Sequence, residues 1–320
     1  MLLRVDQLRM YLHLRRGVLR AVDGISLHVN EAETLGLVGE SGSGKTLTGL
    51  SLLRLLPRGA GRIESGSLQL DGRELTTLTE TEMAREIRGR RIAMIMQDPM
   101  TSLNPVFSIG DQVAAPLRYH DIASGKVLRS SVIDVLRRVR IPSPEQRLGD
   151  YPHQFSGGQR QRIVAAMAIG CTPRLLIADE PTTALDVTIQ VQIITLLRQL
   201  QQDAGIGIVL ITHDLGVAAS LCHRIAVMYA GQIVETAPVR AIYRSPAHPY
   251  TQALLAAIPR LHVTATRLTA IPGQPPSLID PPAGCRFAAR CPHRMDRCAE
   301  PPPAIDLGDG HSAACWKLAA

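Results

Sequence analysis

The sequence predicts an α/β domain built on a parallel sheet, interrupted by a helical insertion and followed by a small separate region. Three observations carry that expectation. The apolar run Leu35-Gly-Leu-Val38 leads through a glycine-rich loop into a helical pattern. Between residues 157 and 235, helix-period and strand-like segments alternate as a parallel sheet requires. Near residue 245 the texture breaks: prolines crowd between Pro246 and Pro303, and the last four cysteines lie in or just after that stretch.

Residues 2–38 read as strands, with Leu3, Val5, Leu8, Met10 and Leu12 leading into Gly24–Val29 and then Leu35–Val38. A helix is expected over Thr46–Leu56, with Leu47, Leu50, Leu53 and Leu56 on one face and Pro57 as its stop. A short strand pair follows, with Gly66–Leu70 before a turn at Asp71-Gly72, and Arg91–Met96 reads as a buried strand. Residues 99–155 differ, because six prolines from Pro99 to Pro152 punctuate helical stretches such as Lys126–Arg140. Helix 157–169, strand 175–179, helix 187–202, strand 207–212 and helix 214–222 come next. Strands Arg224–Tyr229 and Gln232–Glu235 close the domain. The expected division is 1–244, with a helical subdomain at about 99–157, and 245–320.

A chain of 320 residues can bury a sizeable core, and with only 3% aromatic residues that core must rest on Leu, Ile, Val and Ala. The net charge of +7 suits contact with nucleotide phosphates or an anionic membrane face, or simply a solvated basic surface. The N-terminal residues lack the unbroken apolar core of a signal peptide. No window reaches the roughly 18 apolar residues that span a bilayer. The expectation is a soluble, cytosolic protein that reaches a membrane only through partners, and six cysteines in a cytosolic chain argue against a disulfide framework.

Gly39-Glu-Ser-Gly-Ser-Gly-Lys45-Thr46 fits G-x-x-x-x-G-K-[ST] between a strand and a helix. Gly39, Gly42 and Gly44 let the backbone curl so that N–H groups, including those at Ser41 and Ser43, face phosphate oxygens, and the helix N-terminus adds its positive end. Lys45 is expected to reach the β- and γ-phosphates and the Thr46 hydroxyl to hold Mg²⁺. Leu175-Leu-Ile-Ala-Asp179-Glu180 is an apolar strand ending in two carboxylates. Asp179 suits a metal partner, and Glu180 suits a group that orients or deprotonates water.

With those motifs in place, Phe155-Ser156-Gly157-Gly158-Gln159 resembles the signature motif of ABC ATPases, with Phe where Leu is more usual. Gln97 matches that family's Q-loop glutamine, Thr183-Ala-Leu-Asp186 its D-loop, and His213 its switch histidine. The resemblance implies a P-loop NTPase core of ABC type with an antiparallel β subdomain, a helical insertion and a small C-terminal Pro/Cys-rich domain. It implies ATP and Mg²⁺ as ligands, Mg²⁺ being held by Thr46, Gln97 and Asp179. Lys45, Gln97, Glu180 and His213 take the catalytic roles, and Thr48 joins the ATP-binding set. Ser156, Gly157, Gly158 and Gln159 form a second anion site at a helix start, which the resemblance directs at the γ-phosphate held by an opposite subunit. Tyr11 stands roughly where the family stacks an aromatic on adenine, and its alternative is a strand-end tyrosine packing on the core.

Gln97-Asp-Pro-Met-Thr-Ser-Leu-Asn-Pro105, Tyr151-Pro-His-Gln-Phe155 and His248-Pro-Tyr250 resemble the bacterial dipeptide/oligopeptide uptake subfamily. That likeness implies a peripheral subunit at the cytoplasmic face of the inner membrane. Its partners would be two transmembrane permeases, a sister ABC ATPase in a heterodimer and an external substrate-binding protein. Related ATPases serve nickel, glutathione and antimicrobial-peptide systems. A soluble ABC ATPase acting on DNA or ribosomes is a further class. It fits less well, because only 108 residues separate Thr46 from Phe155, too few for a long coiled coil, and the chain has one cassette. No nucleic-acid partner is expected.

Cys171 and Cys222 lie in core-like contexts. Cys285, Cys291, Cys298 and Cys315 form C-x5-C-x6-C-x16-C in a segment poor in hydrophobic core, where a metal commonly supplies stability. Four thiolates suit structural zinc or an iron–sulfur cluster, and the spacing fits neither usual C-x2-C pairs nor a compact ferredoxin run. The family resemblance implies a [4Fe-4S] cluster, with zinc as the alternative. His293 and His311 lie nearby and read as solvated.

Overall fold

The computed structural model describes residues 1–183, 186–258 and 271–319. Ala184 and Leu185 of the expected D-loop lie outside the described residues. In chain order the chain forms β1 (Leu3–Leu14), β2 (Gly17–Val29), β3 (Thr34–Val38), α1 (Lys45–Leu52), β4 (Gly61–Leu70), β5 (Arg73–Glu74), α2 (Glu80–Glu82) and β6 (Ile92–Ile95). Helices α3 (Pro99–Ser102), α4 (Ile109–Tyr119), α5 (Gly125–Arg138) and α6 (Pro144–Arg147) occupy the insertion. Then come α7 (Gly157–Ile169), β7 (Leu175–Asp179), α8 (Val187–Ala204), β8 (Gly207–Thr212), α9 (Leu215–Leu221), β9 (Arg224–Tyr229) and β10 (Gln232–Pro238). Helices α10 (Val239–Arg244) and α11 (Pro249–Ala256) precede the short strands β11 (Ala304–Asp306) and β12 (Ser312–Ala314). Among the described residues no helix is long and apolar enough to cross a membrane.

The chain divides into two compact units. The first comprises Met1–Leu3, Val29–Glu33 and Thr77–Leu210. Here β6 pairs in parallel with β7, from Ile92 opposite Leu175 to Ile95 opposite Ala178. Leu175 to Ala178 are fully buried, which is why this strand shows an unbroken apolar run instead of alternation. Helices α4, α5 and α7 pack together through buried residues including Val113, Leu117, Leu136 and Ile163. The starts of α4 and α7 are fixed by capping: the Ser108 hydroxyl accepts from the Asp111 N–H, and Ser156 with Gln159 forms a capping box on α7.

The second unit comprises Arg4–His28, Thr34–Thr76 and Ile211–Ala320. It holds a sheet in the order β2-β1-β4-β5 and a second run, β11-β12-β10-β9-β3, in which β3 and β9 are parallel and the other pairs antiparallel. Strand β12 lies against β10, with Glu235 opposite Ala313, so the Pro/Cys-rich region extends this sheet. Glu235 is buried and accepts from the N–H groups of Ala247 and His248 (2.8 and 2.9 Å) and faces His311 Nε2 at 2.8 Å. His311 is therefore a buried partner of Glu235, where its sequence setting reads as solvated. The carboxylate supplies what a local pattern does not encode.

Helix α1 ends four residues short of the Leu56 expected from its leucine spacing. Arg54 turns into the left-handed region at φ 52° and donates to the Leu75 carbonyl (2.9 Å), drawing the chain out of the helix before Pro57. In β3, Gly36 is required by packing: a Cβ there would lie 2.7 Å from Cys222 Sγ. Gly36→Ala is expected to lower stability by about 1–3 kcal/mol through overpacking, and Gly36→Ala/Cys222→Ala to recover most of that loss. Urea unfolding midpoints of both variants check this.

Candidate active site

In the second unit the loop after β3 is pressed onto its own scaffold. A Cβ at Gly39 would stand 2.1 Å from the Met228 carbonyl oxygen, and one at Gly44, where φ is 106°, 2.2 Å from that of Ala21. Only glycine fits either place. Lys45 is buried, and its ammonium donates to the carbonyls of Gly39 (2.8 Å) and Glu40 (2.9 Å), folding the loop around itself. Ser41, Gly42 and Thr46 are exposed along the loop's rim. The Ser43 hydroxyl is buried with no hydrogen-bond partner, an orphan of the kind an anion's oxygens would satisfy. Thr48 is committed elsewhere, since its buried hydroxyl donates to the Gly44 carbonyl (3.0 Å) and braces the loop from the helix side.

Tyr11, on β1, is partly exposed, and its hydroxyl donates to Asp23 Oδ1 at 2.7 Å. Burial first, and then that hydrogen bond, push its phenol above the usual range. Asp23 also pairs with the buried Arg286. His213 is exposed just past β8, where Asp214 caps α9 by accepting from the Val217 N–H (3.1 Å).

In the first unit Asp179 ends β7 and is 1% exposed. Glu180 follows at φ 45°, a conformation costing a non-glycine residue on the order of 1–3 kcal/mol. Its carboxylate oxygen Oε2 accepts from Gln97 Nε2 (3.0 Å) and from the Thr183 hydroxyl (2.8 Å). The structure thus brings Gln97 onto Glu180 and Thr183, which lie more than 80 residues further along the chain. At the start of α7, Ser156 and Gly157 are exposed. A Cβ on Gly157 would meet nothing within 4 Å, whereas one on Gly158 would press on Ile189 of α8 at 2.8 Å. Gly157 leaves the helix start open and Gly158 lets two helices close.

Cys285, Cys291, Cys298 and Cys315 line one pocket together with His293 and Trp316. Burial pushes the Cys285 thiol up to about 11 and raises those of Cys291 and Cys315. Among the described residues no three His, Cys, Asp or Glu side chains are grouped so as to hold a metal ion. Cys171 and Cys222 are buried, as their apolar contexts suggest.

Residues that motif reasoning passed over surround the loop. Glu40 occupies a variable position of the cradle pattern, yet its N–H donates to the Tyr250 hydroxyl (2.9 Å) and its carboxylate takes both arms of Arg290. The His248-Pro-Tyr250 triplet signalled a subfamily without a physical task, and the Tyr250 contact supplies one.

The chain matches the model described as ABC transporter over residues 22–183, and that described as oligopeptide/dipeptide transporter, C-terminal region, over 234–298. It is 49% identical to a probable peptide ABC transporter ATP-binding protein of Sinorhizobium fredii, covering 99% of this chain and 95% of that one. It is 48% identical to dipeptide transport ATP-binding proteins of Bacillus subtilis (94% of this chain, 90% of that) and Escherichia coli (98% and 96%). Among solved structures it resembles a dimeric ATP-binding cassette in a post-hydrolysis state bound to ADP and Pi. That match has a TM-score of 0.65 at 24% identity, over 74% of this chain and 99% of that one. At that identity the likeness speaks for the fold.

Proposed function

Because the chain belongs to the ABC transporter family, we propose that it is the ATP-hydrolysing subunit driving a membrane importer of dipeptides or oligopeptides. The observation carrying the chemistry is the closed loop of Gly39–Thr46, with Lys45 folded inward and the Ser43 hydroxyl left without a partner. The near-full-length identity to dipeptide transport ATPases carries the cargo. In this reading loop N–H groups and Lys45 bind the β- and γ-phosphates, and Thr46, Gln97 and Asp179 offer the oxygen ligands that Mg²⁺ favours. Glu180 orients the attacking water and takes its proton as the γ-phosphoryl group leaves ADP. His213 contacts the γ-phosphate, Tyr11 stacks on adenine, and Thr48 braces the cradle.

The Ser156–Gln159 helix start serves the ATP held by a sister ATPase, so that each site is completed by two subunits. Residues 1–244 form the nucleotide-binding domain, the insertion at about 99–157 receives the permease, and 245–320 is the peptide-transporter-type C-terminal domain. The subunit works at the cytoplasmic face of the inner membrane with two permeases and an external binding protein. Within the C-terminal domain, Cys285, Cys291, Cys298 and Cys315 hold a [4Fe-4S] cluster. Support comes from the pocket that the four thiols line together, and zinc, which also takes four thiolates, is the alternative. Bound there, such a cluster would cross-link loops that have little apolar core of their own.

Glu180→Gln is expected to retain ATP binding and to lower turnover at least about 100-fold, read as phosphate release by the assembled complex. Wild-type turnover in that variant would remove Glu180 from the base role. Affinity purification from detergent-solubilised membranes is expected to recover two multi-span permeases and a second ATPase, and recovery of ribosomes or DNA would overturn the importer reading. Elemental and acid-labile sulfide analysis of anaerobically purified chain is expected to find iron and sulfide. Zinc, or no metal, would reject the cluster.

A further inference from the structure

The segment Cys285–Cys291 carries two buried arginines, each 4% exposed in its side chain, that reach toward the nucleotide-binding elements of the same unit. Arg290 Nη1 donates to Glu40 Oε2 at 2.7 Å and to the Tyr229 hydroxyl at 3.2 Å. Its Nη2 donates to Glu40 Oε1 at 3.0 Å and to the Ile271 carbonyl at 3.3 Å, and its Nε donates to the Pro272 carbonyl at 2.8 Å. All five N–H donors of the guanidinium are engaged, two of them as a fork on one carboxylate. Glu40 follows Gly39 directly, and its carbonyl is one of the two that hold the Lys45 ammonium. Its N–H is tied to the Tyr250 hydroxyl, so the C-terminal region grips this loop residue by both backbone and side chain.

We infer that Arg290 is a positioning residue for nucleotide binding, fixing Glu40 at the mouth of the phosphate loop and cancelling its charge. The inference rests on the reading that Gly39–Thr46 cradles phosphate. Without Arg290 a carboxylate stands unpaired beside a site built for an anion, and it opposes each nucleotide in proportion to the phosphate charge brought in. The loop also loses its outer anchor. Lysine cannot replace the fork, because a point charge makes only part of the bidentate contact.

The test is nucleotide affinity of the purified full-length chain, measured with ATP and with ADP. Arg290→Met is expected to weaken ATP by at least about tenfold and ADP by less. Arg290→Met/Glu40→Gln is expected to regain most of the lost ATP affinity, since removing the orphaned charge removes the repulsion. Arg290→Lys, which serves if the methionine variant does not fold, is expected to fall between wild type and that loss, with the same rescue by Glu40→Gln. A purely structural arginine would lower ATP and ADP affinity in step, with no rescue, and that pattern overturns the inference. So does unchanged ATP affinity in Arg290→Met while Lys45→Ala abolishes binding. Unchanged binding in Lys45→Ala would instead reject the phosphate-cradle reading on which the inference stands.

Discussion

The close approach of the Gly39–Thr46 loop to its scaffold is the constraint from which the site follows. Two carbonyl oxygens, of Met228 and Ala21, stand where a Cβ would fall on Gly39 and Gly44, so the loop cannot carry side chains there, and the Gly231 N–H, donating to the Ser43 carbonyl (2.8 Å), ties it to the scaffold. Pinned there, its backbone closes on the Lys45 ammonium through two of its own carbonyls. A cation caged by dipoles at a helix N-terminus is prepared for an anion before one arrives, and little reorganisation is needed on binding.

Strand burial delivers the acidic half in a comparable way. The side chains of β7 are buried on both faces as far as Asp179, and the chain then breaks sharply into the left-handed turn at Glu180. That unfavourable backbone is retained together with a carboxylate gripped by Gln97 and Thr183. Packing in the strand thereby fixes where the carboxylate begins, and two hydrogen bonds fix where it points. Gln97 stands two residues before the helical stretch that begins at Pro99, so that stretch is tied to Glu180 by one hydrogen bond close to its start.

Within the second unit the C-terminal region is joined to the other segments through buried charges as well as apolar contact. Glu235 collects two backbone N–H groups and His311, while Arg286 and Arg290 reach Asp23 and Glu40. The buried rings of Tyr229, Tyr250 and Phe287 pack on one another beside these links, Tyr229 and Phe287 edge to face and the other two pairs tilted. Buried pairs of this kind add little net stability, yet removing one partner leaves a stranded charge, so they impose one arrangement on the segments they join.

Much of this molecule is legible in one dimension. The boundaries of α7, β7, β8 and β9 coincide with those read from periodicity, because long buried strands and capped helices write their limits into neighbouring residues. The cradle, the paired carboxylates and Ser156-Gly-Gly-Gln159 are equally local, since each needs only a short run of residues to form. Helix α1 already departs from its leucine pattern, as its end depends on Arg54 reaching Leu75. The links from Arg290 to Glu40 and from Arg286 to Asp23 span some 250 residues and follow no period, so spacing could not reveal them. Motifs dictated the chemistry because local backbone geometry suffices for it. Which charges stand beside that chemistry was decided only by the tertiary fold, because a buried ion pair is specified by where two distant segments meet.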